Sequence, residues 1–481
     1  MLTICINKPQ FEYDIHSLVK AFCPGEEVKV LTGETSQADW RLLFVEADNK
    51  IVWEQISTGK KWERPAKSDP ETQEEKDELK NQVKLLIYEA LSLVTGQELP
   101  WGTLTGIRPT KIATNMLEQE KSEEEIQSFY EEKYLVSKEK QKLSIEIAKR
   151  ERKLFARLHG TDGYSLYIGI PFCPTTCLYC SFTSYPIAQW KNRVDEYLEA
   201  LEKELEYAAK LGAGKILDTV YIGGGTPSTL SAEQMDRLLH KVSTTFSMDQ
   251  VQEFTVEAGR ADSITREKLE VLKRYGVTRI SINPQTMSQL TLDRIGRKAT
   301  VEQVLEAYHM AREMGFDNIN MDLILGLPGE NEDDVEKTME EMKKLKPESL
   351  TIHSLAVKRA SKLALWIKEN GMEAIHNTDE MMTIASKGAR EMGLVPYYLY
   401  RQKNMSGNFE NVGYAVPGRF GIYNVLIMEE IQSIIACGAG TVTKRVYPNG
   451  RIERCDTVKD VGLYISKIDE MIERKKILFA Y

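Results

Sequence analysis

The stretch Leu166-Tyr167-Ile168-Gly169-Ile170-Pro171-Phe172-Cys173-Pro174-Thr175-Thr176-Cys177-Leu178-Tyr179-Cys180 joins a β-rich run to three cysteines spaced Cys-x3-Cys-x2-Cys. Soft thiolates are the usual ligands of iron–sulfur clusters, and a cubane cluster presents four iron corners. Three thiolates leave one corner open, much as a catalytic zinc site keeps a position for its substrate. A structural zinc site would need a fourth ligand, and no other Cys and no His lies nearby in the chain. Three buried structural cysteines are the blander alternative.

Outward from this stretch the rhythm is regular. β-rich runs recur at 166–170, 219–223, 253–257, 279–283, 319–325 and 350–355, each followed by a helical pattern. Such alternation predicts parallel strands with right-handed helical crossovers. Six βα units predict an α/β fold built on a partial (β/α)6 barrel, whose chemistry belongs at the C-terminal ends of the strands.

The informative residues fall at those ends. Tyr167 lies on the first run and Tyr179 between the second and third cysteines; either could fill core or shield a cluster. Gly223-Gly224-Gly225-Thr226-Pro227 closes the second run. Three glycines cost backbone entropy, so close approach of the backbone to a ligand is the better reason for them. Glu257, Gln285 and Asp322 end the third, fourth and fifth runs. Each alone reads as a cap or surface residue; together they can meet one polar ligand. Arg297 adds a guanidinium suited to carboxylates, and Gly326-Leu327-Pro328-Gly329 closes the fifth run.

Composition sets the outer bounds. The chain has 481 residues, 42% hydrophobic and 28% charged, with net charge −9. This is ordinary for a globular protein of two or three domains, and it gives no electrostatic case for nucleic-acid binding. Seven cysteines, three in one tight motif, argue against a disulfide framework and for a reducing compartment. No apolar leader or long uncharged stretch is present, so a cytoplasmic protein without a membrane span is expected.

The flanks read differently from the barrel. Residues 1–98 predict a small α/β domain: a strand at 2–6, a helix at 11–22, a hairpin of 41–46 with 51–56, and a linker from Lys60 to Pro70. Pro70 then suits the first turn of a helix, with Leu79, Val83, Leu86, Ile87, Ala90 and Leu91 as its apolar stripe. Residues 99–160 predict a helical connector, in which Ser122 caps the acidic run Glu123-Glu124-Glu125. The barrel is placed at 161–356. Residues 357–481 predict an α+β cap over the substrate, with a helix at 379–392, strands at 396–402, 422–427 and 441–446, and a last helix at 456–475.

These motifs resemble the oxygen-independent coproporphyrinogen III oxidase (dehydrogenase) family of radical S-adenosylmethionine (SAM) enzymes. The strings that carry the resemblance are 166–172, Gly223–Pro227, Val256-Glu257 and Met321–Pro328. The strings 104–110, 353–360, 398–409 and 434–440 are similar to the HemZ-like branch. The resemblance implies a 4Fe–4S cluster on Cys173, Cys177 and Cys180, whose open iron takes SAM. It implies a SAM site lined by Tyr167, Tyr179, Gly224, Gly225, Thr226, Glu257, Gln285, Arg297, Asp322 and Ala356. The implied reaction is oxidative decarboxylation of coproporphyrinogen III to protoporphyrinogen IX in haem biosynthesis. An electron donor such as flavodoxin or ferredoxin is the implied partner. Four substrate carboxylates call for a basic pocket, for which Lys358, Arg359, Arg401 and Lys403 are nominated. Two positions depart from the family's best-known pattern. Phe182 stands where another Cys is associated with a second SAM, and Gly169 where His is common, so one or two bound SAM remain alternatives. A haem-binding chaperone on the same barrel and another radical reaction on a tetrapyrrole are the competing functions.

Overall fold

The computed structural model describes residues 1–33, 38–67, 70–106, 108–357, 361–371, 375–402, 405 and 408–480. The chain forms two compact units, one of residues 1–149 with 400–410 and one of residues 150–399 with 411–481.

The first unit holds a five-stranded sheet: β1 (Leu2–Ile6), β2 (Val28–Thr32), β3 (Trp40–Val45), β4 (Lys50–Gln55) and β5 (Lys60–Pro65), in the order β2-β1-β3-β4-β5. β1 runs parallel to β2 and β3, while β3, β4 and β5 form an antiparallel meander. Helices α1 (Glu12–Phe22) and α2 (Gln73–Thr95) share one core with the sheet. The predicted stripe on α2 is buried in full, from Leu79 to Leu91. The expected linker is corrected: Lys60–Pro65 is an edge strand, and its polar composition reflects a largely exposed position. The expected helix start at Pro70 is also corrected. α2 begins at Gln73, because Thr72 and Glu75 form a reciprocal capping box there. Ser122 and Glu125 make a second such box at the start of the helix Glu123–Tyr134, as the acidic run predicts.

The second unit is built on one sheet of eleven strands. They are β6 (Gly163–Ile170), β7 (Ile216–Gly224), β8 (Glu253–Gly259), β9 (Arg279–Ile282), β10 (Ile319–Leu325), β11 (Ser349–Ser354), β12 (Val395–Tyr400), β13 (Asn411–Ala415), β14 (Ser433–Cys437), β15 (Val442–Val446) and β16 (Ile452–Asp456). Their order is β12-β13-β11-β10-β9-β8-β7-β6-β14-β15-β16. β6 to β11 are the six predicted strands, all parallel and consecutive. The later strands extend the same sheet at both edges: β13 pairs antiparallel with β11, and β14 pairs parallel with β6.

Alternation along the strands explains the layering. Leu166, Ile168, Val220, Ile222, Met321, Leu323, Leu350 and Ile352 are buried hydrophobics. The intervening positions carry Tyr167, Tyr221, Thr255, Glu257, Ser281, Asn320, Asp322, Thr351 and His353. The other side of the sheet is therefore polar.

Two expectations beyond β11 are corrected. Residues Ile422–Glu429 are a helix, not a strand. The Glu253 carboxylate accepts from the N–H groups of Ile422 (2.6 Å) and Tyr423 (3.3 Å), satisfying the helix start. The predicted last helix is two helices, Val461–Ser466 and Ile468–Phe479, preceded by β16.

Candidate functional site

Beyond β6 the chain enters the cysteine loop, which is pinned at three places. Phe172–Cys173 forms a short parallel ladder with Tyr185–Pro186. Leu178 N–H donates to Ile295 O (2.9 Å), and Leu178 O accepts from Leu363 N–H (3.0 Å). Gly225 and Thr226 donate from their N–H groups to Ile170 O (2.8 Å) and Phe172 O (2.7 Å). A Cβ on Gly225 would stand 2.6 Å from Phe172 O. Close backbone approach is thus the reason for that glycine, and the approaching backbone is the cysteine loop. Gly224 adopts φ +110°, outside the range a side chain favours.

Cys173 and Cys177 are buried and Cys180 is half-buried. Thr226 Oγ1 donates to Cys173 Sγ (3.4 Å). Burial pushes the Cys173 and Cys180 thiols up, and the neighbouring cysteines push in the same direction. Three thiolates here require positive charge among them. Among the described residues no three His, Cys, Asp or Glu side chains gather as a single-ion site.

Two buried guanidiniums flank this loop. Arg260, 4% exposed, donates to Thr175 Oγ1 (2.7 Å) and Thr175 O (3.1 Å), reaches Cys177 Sγ at 4.0 Å, and pairs with Asp262 (2.6 Å). Sequence reasoning missed Arg260; its position just past β8, among other strand-end residues, was the available signal. Arg297, 5% exposed, donates to Tyr179 Oη (3.1 Å) and Asn283 O (2.6 Å). Among the described residues no carboxylate lies within ion-pair distance of Arg297.

Across the strand ends the charge is reversed. Tyr221 Oη donates to Glu257 Oε1 (2.5 Å). Burial pushes Glu257 up to about 7; the Tyr221 hydrogen bond opposes this and the Asp322 charge adds to it. Tyr167 lies in a ring stack, 6.0 Å from Tyr221 and 5.8 Å from Tyr423, with Tyr221 and Tyr423 4.5 Å apart. Tyr423, from the helix read as a strand, had no sequence signal. Asp322 Oδ1 accepts from Asn320 Nδ2 (2.7 Å). Neither Glu257 nor Asp322 has a Lys or Arg within ion-pair distance among the described residues.

Gln285 adopts φ 71°, an uncommon conformation for a residue with a side chain. Its N–H donates to Asp322 O, and its O accepts from Ile324 N–H, each at 2.9 Å. Gln285 Oε1 and Asn283 Oδ1 are buried acceptors without a partner. Ala356 is half-buried, two residues beyond β11. The ten residues named for the SAM site thus lie on or just past β6 to β11, save Tyr179 in the cysteine loop and Arg297 farther along the chain after β9, which Tyr179 contacts.

The nominated propionate anchors fare differently. Arg401 is corrected: it belongs to the first unit and donates to Leu104 O (2.5 Å), Asn408 O (3.0 Å), Asn408 Oδ1 (2.5 Å) and Phe409 O (3.4 Å). Backbone carbonyls take its donors, so it is not set to receive a ligand carboxylate. Lys358, Arg359 and Lys403 lie outside the described residues. A Cβ on Gly169 would stand 2.6 Å from Thr441 Cγ2, so a side chain there would require Thr441 to shift. Phe182 is 75% exposed.

A parallel sheet with a three-cysteine loop after its first barrel strand defines a radical SAM domain, and residues 167–342 match the Radical SAM superfamily. The chain is 42% identical over 406 residues to the oxygen-independent coproporphyrinogen-III oxidase-like protein HemZ of Bacillus subtilis, covering 83% of this chain and 80% of that protein. It belongs to this HemZ-like family of radical SAM proteins. It is also 40% identical over 195 residues to the heme chaperone HemW of B. subtilis, covering 40% of this chain and half of that protein. The crystal structure of coproporphyrinogen III oxidase (HemN) from Escherichia coli shares the fold, with TM-score 0.53 and 21% identity over 66% of this chain and 72% of that one. No helix among the described residues is long and apolar enough to cross a membrane.

The family implies a 4Fe–4S cluster and SAM, and the residues present fit both. The thiol loop sits beside buried guanidiniums that would offset an anionic thiolate cluster. The unpaired carboxylates suit a cation such as SAM, and the orphaned acceptors of Gln285 and Asn283 suit its donor groups.

Proposed function

We propose that this protein catalyses oxygen-independent oxidative decarboxylation of two propionates of coproporphyrinogen III, giving protoporphyrinogen IX. The observation that carries the reading is the 42% identity to a coproporphyrinogen-III oxidase-like protein over four-fifths of that protein's length. The site supports it from the chemical side. Bound at this site, the cluster and SAM would supply one electron and a 5′-deoxyadenosyl radical that takes a hydrogen from the propionate β-carbon. Loss of CO2 and of one electron to an acceptor then completes each vinyl group.

The chain's own residues have distinct tasks in this scheme. Cys173, Cys177 and Cys180 hold the cluster. Arg297 offers a guanidinium to the SAM carboxylate. Glu257 and Asp322 accept from its ammonium and hydroxyl groups, with Gln285 as a further acceptor. Gly224, Gly225 and Thr226 shape the backbone under the ligand, while Tyr167, Tyr179 and Ala356 border it. An electron donor of the flavodoxin or ferredoxin type would dock on this side of the molecule.

A second reading, haem carriage without turnover, is favoured by the 40% identity of the barrel region to a heme chaperone. One experiment separates them. The reconstituted protein is incubated anaerobically with SAM, a reductant and coproporphyrinogen III, and products are read by mass spectrometry. Two successive CO2 losses establish the decarboxylase. Cleavage of SAM with unchanged porphyrinogen, together with stoichiometric haem binding, establishes the carrier.

A further inference from the structure

The six histidines of the chain include one, His353, on the polar side of the strand ends. It lies on β11, where register places it beside Ile324, two residues past the pairing of Asp322 with Thr351. Its Nε2 stands 4.0 Å from Asp322 Oδ2. That separation is too long for a hydrogen bond. It is close to the distance across which one small polar group bridges two others.

The surroundings favour a ligand over a filler. Deeper in the same layer the polar groups are closed on each other: Thr351 Oγ1 donates to Asn320 Oδ1 (3.1 Å), and Asn320 Nδ2 donates to Asp322 Oδ1 (2.7 Å). Thr351 and Asn320 are buried. Asp322 and His353, farther along the same layer, are part-exposed, 23% and 26%. Asp322 Oδ1 is thus committed downward, while its Oδ2 faces the imidazole. The imidazole is oriented by a hydrogen bond with the Asn411 side chain. Burial lowers its pKa against the pull of Asp322 and of that hydrogen bond, which favours the neutral ring. A carboxylate and a neutral imidazole make a cleft for a group that can donate to the carboxylate.

We infer that His353 is a further ligand-binding residue of this site, forming with Asp322 a two-sided seat for an O–H or N–H donor. Two groups in the proposed reaction have this chemistry, the ribose diol of SAM and the pyrrole N–H of the tetrapyrrole. The inference rests on the radical SAM reading of the site, and its tetrapyrrole arm also rests on the proposed substrate.

The test compares the wild type with His353→Phe, which keeps a ring, and His353→Asn, which keeps a polar side chain. SAM affinity is measured by equilibrium dialysis on cluster-loaded protein. Tetrapyrrole affinity is measured by fluorescence titration of apoprotein with coproporphyrin III. Loss of one such hydrogen bond should weaken binding of one ligand by roughly tenfold in His353→Phe, with partial recovery in His353→Asn. A loss confined to SAM assigns the seat to the ribose, and a loss confined to coproporphyrin assigns it to the pyrrole N–H. Unchanged affinity for both, in a variant with wild-type iron content and melting temperature, overturns the inference. If His353→Phe fails to fold, His353→Asn and His353→Gln carry the same comparison. Failure of the wild type to bind coproporphyrin strikes the proposed substrate and leaves the SAM arm intact.

Discussion

The barrel unit contains two groups of buried charge that are built on opposite plans. The first joins Glu204, on the helix Val194–Leu211, to Lys475, on the helix Ile468–Phe479, both fully buried. Glu204 also accepts from Tyr464 Oη (2.6 Å) and Gly438 N–H (2.7 Å). Its neighbour Tyr197 donates to Gly169 O (2.6 Å) and accepts from Ala439 N–H (3.1 Å). The second group is the strand-end site, where Arg297, Glu257 and Asp322 lack opposite charges and Gln285 Oε1 lacks a donor. Burial of charge is costly in both. In the first the chain supplies every compensation, so the group specifies structure. In the second compensation is left to something else, and that incompleteness is the mark of a ligand site.

Breaking the closed group should have the largest effect on stability. Lys475→Met leaves the Glu204 carboxylate buried without its cation and should cost about 3–5 kcal/mol in denaturant unfolding. Glu204→Gln with Lys475→Met removes both charges and should recover most of that loss. If the single and double variants are equally destabilised, packing and not charge holds this region. Arg297→Met should show the contrary pattern. Removing a guanidinium that lacks a carboxylate should leave apoprotein stability almost unchanged or improved. SAM affinity should fall by about 10- to 100-fold, the worth of a charge-assisted hydrogen bond. A large drop in apoprotein stability would instead make Arg297 a structural residue.

How far each group could be read from the sequence follows from the same contrast. The open site was legible because its parts recur at strand ends. Cys173, Cys177 and Cys180 carry a spacing, and Glu257, Gln285 and Asp322 each close a β-rich run. Ligand sites assembled from successive strand ends leave a periodic trace in the chain. The closed group leaves none. Glu204 sits in Leu-Glu-Lys-Glu-Leu, which reads as a solvated helix face, and its partner is 271 residues away. β14 was unmarked for a related reason, as a short apolar run does not reveal that it will lie beside β6. Ile422–Glu429 was misread because its β-branched and aromatic residues favour a strand, whereas the acceptor that caps the helix, Glu253, lies on β8. Arg401 shows the converse error: a basic residue in a motif looked like an anchor until its donors were seen to be spent on carbonyls.

Glu257 offers a way to sharpen the contrast through pH. Its pKa rises from 4.5 to about 7 on folding, with burial the leading cause. The folded protein then holds a proton that the unfolded chain releases between those values. Its contribution to stability is fully present below about pH 4.5 and is lost as pH rises through 7. Apoprotein stability should therefore carry a component that declines across this window, about 2 kcal/mol after allowance for partial exposure. Glu257→Gln should flatten that component. SAM binding should run the other way, strengthening with pH as the carboxylate ionises to meet a cation. A closed group would show no such opposition between stability and binding. Parallel pH trends in the two measurements would therefore place Glu257 with the structural charges.

Phe182 is the smallest test and the one most specific to this chain. It follows the third cysteine by two positions and is 75% exposed, so it adds little to the core. Phe182→Ser should change unfolding free energy by less than about 0.5 kcal/mol, the ordinary range for surface substitutions. Iron content should stay at the wild-type level, because the cysteine loop is held through Leu178, Gly225 and Thr226 and not through this side chain. An exposed ring two residues past Cys180 is placed to touch whatever approaches the cysteine loop. If the protein has the proposed activity, the expected effect is confined to turnover, as a higher KM for the proposed tetrapyrrole substrate or a lower rate with a protein electron donor. Chemical reductant in place of the donor distinguishes the two. Restored turnover assigns the ring to donor docking, and a persistent KM effect assigns it to the substrate.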